Sequence, residues 1–145
     1  MELSLKTEYT ILALLELADH YQEGEPLQIR QIATVQNIPE RYLEQLLAVL
    51  RRNGLIRSQR GAKGGYILGR EPWQITLLDI VKCIDGLEGQ KSSPDEDVKT
   101  LENVIIKEVW QEVHQAVNSV LAKYTLQDIC EKRNTRKQLD VMYYI

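Results

Sequence analysis

The sequence predicts a mostly α-helical fold that carries one small β-hairpin. Apolar residues recur at the helical period along most of the chain. The period changes only over residues 55–68, where a glycine-rich turn separates two short apolar runs. Hydrophobic residues make up 43% and charged residues 27% of the 145 residues, as is typical of a globular protein.

Three helices are predicted in the first third of the chain. The first spans residues 5–22 and is apolar over much of its surface, so we expect it to be buried on more than one side. A second helix over residues 28–36 is followed by a break that contains Pro39. A proline suits the first turn of a helix, where its missing N–H costs no hydrogen bond. The third helix therefore starts near Pro39, and Gly54 is a suitable C-terminal cap for it.

A glycine-tipped hairpin follows the third helix. Residues 55–59 and 66–68 are the predicted strands, and residues 60–65 between them contain three glycines. Glycines permit positive φ and close approach of the backbone to another molecule. Two helices joined by a tight turn and followed by such a hairpin are typical of a winged helix-turn-helix, in which one helix enters the major groove of DNA.

The second half of the chain predicts a dimerisation element. Thr76 starts a short helix that ends at Gly86, and residues 88–97 are polar and resemble a linker. A helix over residues 98–123 would span ~39 Å, which is too long for the preceding module to cover. Pairing with a second copy is the natural way to bury its apolar face, whereas folding back on its own domain is the alternative. The expected dimer contacts are Leu101, Val104, Ile105, Val109, Trp110, Val113, Val117, Val120 and Leu121.

These elements predict a three-part organisation. Residues 1–86 form the winged helix-turn-helix domain, residues 87–97 form a loop or linker, and residues 98–145 form the dimerisation helix and a C-terminal tail. Thr125 starts a last, short helix within the third part, and the apolar end of the tail is expected to contact the partner copy.

Charge is distributed unevenly along the chain. Residues 28–70 carry eight basic and two acidic residues, whereas residues 1–27 have a net charge of −5 and residues 71–145 of −4, so the total is −3. A basic block between acidic flanks is typical of a surface that faces a polyanion. An ordinary solvated surface is the alternative.

The third helix has the two faces that a DNA-reading helix needs. Leucines occupy one face, and the other offers groups that contact bases, since Glu accepts from cytosine and Gln pairs with adenine. An arginine of the hairpin can enter the minor groove. The expected DNA-contacting residues on the second helix, the third helix and the hairpin are Gln28, Arg41, Tyr42, Glu44, Gln45, Arg51, Arg52, Arg57, Ser58, Arg60, Gly61, Lys63, Gly64 and Gly65.

Other function classes find less support. No arrangement of Ser, His and Asp, no metal-ligand cluster and no nucleotide fingerprint is found, so we expect no enzyme. The sequence has neither a membrane span nor a signal peptide, so we expect a cytoplasmic protein without a membrane partner. A winged-helix module that binds other proteins is the alternative, and the acidic pI of about 5.5 is compatible with it.

The middle of the chain resembles a known family. Residues 39–70 read PERYLEQLLAVLRRNGLIRSQRGAKGGYILGR and closely resemble the signature of the Rrf-two family of bacterial winged-helix transcription regulators. Residues 3–6 with Tyr9, residues 32–33 and residues 75–81 extend the resemblance over nearly the whole chain.

The resemblance implies how the protein works. It implies a homodimer crossed by its long C-terminal helices, with two winged domains on a palindromic operator. Tyr42, Glu44 and Gln45 would lie in the major groove, Arg60 in the minor groove and Lys6 at a phosphate. We therefore expect a sequence-specific, DNA-binding transcription regulator that acts as a repressor on double-stranded DNA.

The chain departs from the family's sensing members at the cysteines. Those members carry three closely spaced cysteines before the long helix that ligate an iron–sulfur cluster, whereas residues 86–100 here contain none. We expect no metal and no cofactor, with Cys83 a small core residue. A cluster with unorthodox ligands drawn from Glu8, His20, His114 or Cys130 is the alternative. A small-molecule or protein effector is expected to contact the loop at residues 87–97.

Overall fold

The computed structural model describes residues 3–85 and 100–143. In chain order, the elements are α1 (Leu5–Asp19), α2 (Ile29–Gln36), α3 (Glu40–Arg52), β1 (Ile56–Gln59), β2 (Gly65–Leu68), a 3₁₀ turn (Pro72–Gln74), α4 (Leu77–Asp85), α5 (Leu101–Lys123) and α6 (Leu126–Tyr143). The predicted mostly α-helical fold with one antiparallel hairpin is confirmed. The predicted linker at residues 88–97 lies outside the described residues.

Helix α1 is the centre of the core. Ala13 and Leu14 are fully buried, and the helix contacts α2, α3, α4, α6 and β2, so the expectation of burial on several sides is confirmed. The Ser4 side chain caps its start by accepting a hydrogen bond of 3.1 Å from the Thr7 N–H. The helix ends at Asp19, a few residues earlier than predicted, and a series of turns leads to Gly24.

A tight turn joins α2 to α3. Asn37 adopts the left-handed conformation with φ of 54°, and the N–H of Ile38 donates to the carbonyl of Ala33 at 3.0 Å. Pro39 lies at the N-cap of α3, one position before the helix proper. The inward face of α3 is confirmed, since the leucines at this face are buried: Leu43, Leu46, Leu47 and Leu50.

The hairpin is held against the start of α2 by main-chain pairing. Leu27 and Tyr66 exchange two backbone hydrogen bonds of 2.9 and 2.8 Å, so Leu27 extends the two-stranded sheet. A Cβ atom on Gly65 would lie 2.5 Å from the carbonyl oxygen of Leu27, and one on Gly64 would collide with the carbonyl of Gln59. These two glycines therefore allow two backbone segments of the same chain to lie close together. The sequence had instead predicted close approach of the backbone to another molecule.

The C-terminal helices are attached to the core by a second main-chain pairing. Leu77 donates to Tyr124 and Leu126 donates to Ile75, each at 2.9 Å. The starts of α4 and α6 are capped in the same way. Thr76 and Asp79 exchange two hydrogen bonds, each from a backbone N–H to the other residue's side-chain oxygen, and Thr125 and Asp128 do the same.

Helix α6 is longer than the short helix that was predicted. Leu126 and Cys130 at its start are buried in the same core as α1, and Arg133 pairs with Asp19 through two hydrogen bonds of 2.8 and 2.6 Å. The first half of α6 therefore packs on the winged domain. Cys83 on α4 was expected to be a core residue. It is only half-buried and packs against the edge of the core.

None of the helices in residues 3–85 and 100–143 is both long enough and apolar enough to cross a membrane.

Candidate nucleic-acid interface

Burial of the leucine face turns the polar face of α3 to the surface. Arg41, Glu44 and Gln45 are exposed in the first half of the helix, and Arg51 and Arg52 are exposed in its last turn. These side chains are available to a ligand because the core is filled by the opposite face.

The start of α1 lies beside this polar face. The Tyr9 and Tyr42 rings meet edge to face, with centroids 5.7 Å apart and planes at 75°. Lys6, Tyr42, Gln45 and Arg52 line one cleft of about 360 Å³ between α1 and α3. The structure thus brings Lys6, predicted at a phosphate, next to two residues predicted in the major groove.

The hairpin and the start of α2 form a second group. Because Leu27 pairs with Tyr66, Gln28 is held beside the hairpin tip and lines a cleft of about 480 Å³ with Lys63 and Gly64. The outward residues of β1 and of the turn are exposed and include Arg57, Ser58, Arg60 and Gly61. Gly61 has φ of +117° and open space around its Cβ position.

The arginines of this surface have no acidic partner within the part of the chain that the structure describes. Arg133 forms an ion pair with Asp19. Among the described residues, no such ion pair is formed by the five arginines of α3 and the hairpin: Arg41, Arg51, Arg52, Arg57 and Arg60. Exposed, uncompensated guanidinium groups are suited to bind phosphate oxygens and base edges.

Helix α5 presents an apolar surface that residues 3–85 and 100–143 leave largely exposed. None of its residues is fully buried, and Val117 and Leu121 are half-buried while the other predicted contact residues are exposed. The sequence prediction missed Ile106, which is 61% exposed. Ile106 lies four residues before Trp110 and seven before Val113. This helical spacing places it on the same face and could have been recognised in the sequence.

The two cysteines lie on separate helices, with Cys83 half-buried on α4 and Cys130 buried on α6. Burial raises the pKa of the Cys83 thiol, and the nearby Asp79 carboxylate raises that pKa further while Arg70 opposes the rise. Burial likewise raises the pKa of Cys130, with Asp19 adding to the effect. Both thiols are therefore less readily ionised than an exposed cysteine.

The other proposed ligands are not gathered around these cysteines. Residues 3–85 and 100–143 include no group of three His, Cys, Asp or Glu side chains that could hold a metal ion. The Nδ1 atom of His20 lies 3.0 Å from the carbonyl oxygen of Glu16, and Glu8 and His114 are exposed. With two cysteines in all, one chain does not fit the three-thiolate cluster.

Comparisons with known proteins agree with this architecture. The sequence profile of the Rrf2 family, described as an iron-dependent transcriptional regulator, matches residues 3–132. The HTH-type transcriptional regulator CymR of Bacillus subtilis is 37% identical over 147 residues, which span 100% of both chains.

Solved structures of related proteins share the fold. IscR of T. potens matches with a TM-score of 0.74 and 38% identity, covering 92% of this chain and 88% of that one. The structure of CymR, described as the global cysteine regulator of B. subtilis, matches with a TM-score of 0.73 and 37% identity, covering 91% and 98%. The resemblance predicted from residues 39–70 is confirmed. The chain therefore belongs to the Rrf2 family and is a winged-helix, DNA-binding transcription regulator, not an enzyme.

Proposed function

We propose that two copies of this chain bind a pseudo-palindromic operator and repress transcription from it. The observation that carries the proposal is the set of exposed arginines on α3 and the hairpin that form no ion pair with any acidic residue the structure describes. Together with Glu44 and Gln45, they offer positive charge for phosphates and hydrogen-bonding groups for base edges on one winged domain.

The exposed apolar surface of α5 supports a homodimer. Trp110 is 61% exposed and Val109 51% exposed in the single chain. A contiguous apolar surface of this kind on one helix is typical of a subunit interface, and a two-fold dimer presents two reading helices to two half-sites.

The regulator works without the orthodox three-cysteine cluster. It has two cysteines rather than three, and they lie on separate helices, α4 and α6. The signal instead acts on the loop at residues 87–97, between α4 and the dimerisation helix, through a small molecule or a protein. A cytoplasmic location follows from action on promoter DNA.

Specific duplexes are selected first from genomic fragments. Because the B. subtilis CymR structure is described as that of a cysteine regulator, promoters of cysteine-related genes are the first to test. The selected site is then footprinted, and its affinity is measured with the parent protein and with two variants. Arg60→Ala is expected to weaken binding by about 5- to 100-fold, the range of one specific arginine contact. Glu44→Ala is expected to relax base preference in each half-site while the dimer persists.

Two variants on α6 serve as matched controls. Arg136→Ala and Glu131→Ala remove the same charges from exposed positions outside the proposed interface, so both are expected to bind like the parent. If Arg60→Ala and Glu44→Ala gave parental footprints, DNA would be contacted by residues other than those proposed on α3 and the hairpin. Failure to select any specific duplex would favour the protein-interaction module.

A further inference from the structure

A second, more apolar groove lies between the start of α1 and the start of α3. It has a volume of about 510 Å³ and is lined by Leu5, Tyr9, Pro39, Arg41, Tyr42 and Gln45. Four of the six residues contribute aliphatic or aromatic surface, and the other two belong to the exposed polar face of α3. The groove is therefore an apolar recess at the edge of the exposed polar face of α3.

The groove is formed by parts of the chain that are held in place without a ligand. Tyr9 and Tyr42 fix one wall through their edge-to-face contact at 5.7 Å. The Pro39 carbonyl accepts a hydrogen bond of 2.9 Å from the Leu43 N–H, which anchors the start of α3 in the core. A recess that exists before binding takes up an apolar group at little cost in conformational entropy.

The Leu5 side chain is an apolar group that the described part of the chain leaves largely exposed. It is 58% exposed at the first residue of α1, although a leucine gains most by burial. The neighbouring Ser4 and Thr7 fix the backbone at this point by capping α1, so the Leu5 side chain is presented at the groove.

The chemistry of the major groove identifies the occupant. Hydrogen-bond donors and acceptors line the base edges there, and the apolar group among them is the C5-methyl group of thymine. That methyl group lies at the side of the base nearest its own sugar–phosphate strand, so it can enter a recess that flanks the reading helix. We infer that the groove between Leu5 and Tyr42 binds the C5-methyl group of one thymine in each half-site, next to the base that Gln45 contacts. The inference rests on the proposed operator binding.

Replacement of thymine by deoxyuridine tests the inference because it removes the methyl group alone. Each thymine of the selected operator is replaced in turn, symmetrically in both half-sites, and the affinity is measured at constant salt. At one symmetric pair of positions, the replacement is expected to weaken binding by about fourfold per half-site. This factor corresponds to the free energy of burying one methylene-sized group. If no thymine position responds although the parent binds the operator specifically, the inference is wrong and the proposed function stands.

A pair of leucine variants assigns the effect to the groove. Leu5→Ala is expected to bind the thymine and deoxyuridine operators equally, because its enlarged groove no longer contacts the methyl group. Leu3→Ala is the matched control, since Leu3 is also exposed but does not line the groove, and it is expected to retain the parental discrimination. If Leu5→Ala kept the parental discrimination between the thymine and deoxyuridine operators, the assignment to this groove would be overturned. Absence of any specific duplex would overturn the proposed function as well.

Discussion

At the scale of single residues, close backbone contacts explain why two positions of the hairpin are glycines. Gly64 and Gly65 are glycines because Gln59 and Leu27 come too close for a Cβ atom. Leu27 lies 38 residues before Gly65, and no local pattern indicates that their backbones pair.

Substitution of Gly65 tests this backbone contact. Gly65→Ala places a Cβ atom 2.5 Å from the Leu27 carbonyl, so the free energy of unfolding is expected to fall by about 1–3 kcal/mol, as for other overpacked sites. Hydrogen exchange is expected to show loss of protection at the Leu27 and Tyr66 amides, since their pairing must open.

Gly24→Ala is the control for a glycine without close neighbours. Gly24 has φ of +67° and nothing within 4 Å of its Cβ position, so the variant loses about 1–2 kcal/mol from backbone strain alone. The two amides are expected to keep their protection in this variant. If the Leu27 and Tyr66 amides were equally protected in Gly65→Ala and Gly24→Ala, the close contact at Gly65 would not be what holds the hairpin in place.

At the scale of elements, the helices with a strong apolar period were predicted within a few residues, and α6 was not. Its residues 131–138 are all polar, so no apolar period marks the helix beyond its first turns. Its position depends on the Thr125–Asp128 cap, on Leu126 in the core and on the pairing of Arg133 with Asp19. The cap is local and marks the start of the helix in the sequence, whereas the burial of Leu126 and the Arg133–Asp19 pair are tertiary contacts that the sequence pattern does not reveal.

A charge placed on the apolar surface of α5 tests the role of that helix. Val109→Glu is expected to raise the dissociation constant of the dimer by at least about tenfold, because an unpaired carboxylate would be buried in the interface. Sedimentation equilibrium measures the constant, and circular dichroism checks that the helices remain.

Gln111→Glu adds the same charge to an exposed position of α5 outside the apolar set. This variant is expected to dimerise like the parent. A parent protein that sediments as a monomer, or equal dissociation constants for the two variants, would refute α5 as the dimer contact.

At the scale of the whole molecule, the uneven charge is more informative than its sum. The chain has a net charge of −3, yet the segment that builds α2, α3 and the hairpin has a net charge of +6. This segment could be recognised from the sequence as the interface candidate. The placement of Lys6 and Leu5 beside α3 could not, because it results from packing of α1 against a helix more than 30 residues later in the chain.

The salt dependence of operator binding tests most directly whether this positive surface faces DNA. Each phosphate contact releases counterions, so a dimer with about six contacts is expected to lose roughly a thousandfold in affinity between about 50 and 200 mM salt. The affinity is measured by fluorescence anisotropy on the selected duplex. The logarithm of the association constant is expected to fall linearly and steeply with the logarithm of the salt concentration. An association constant that does not change with salt would contradict the account.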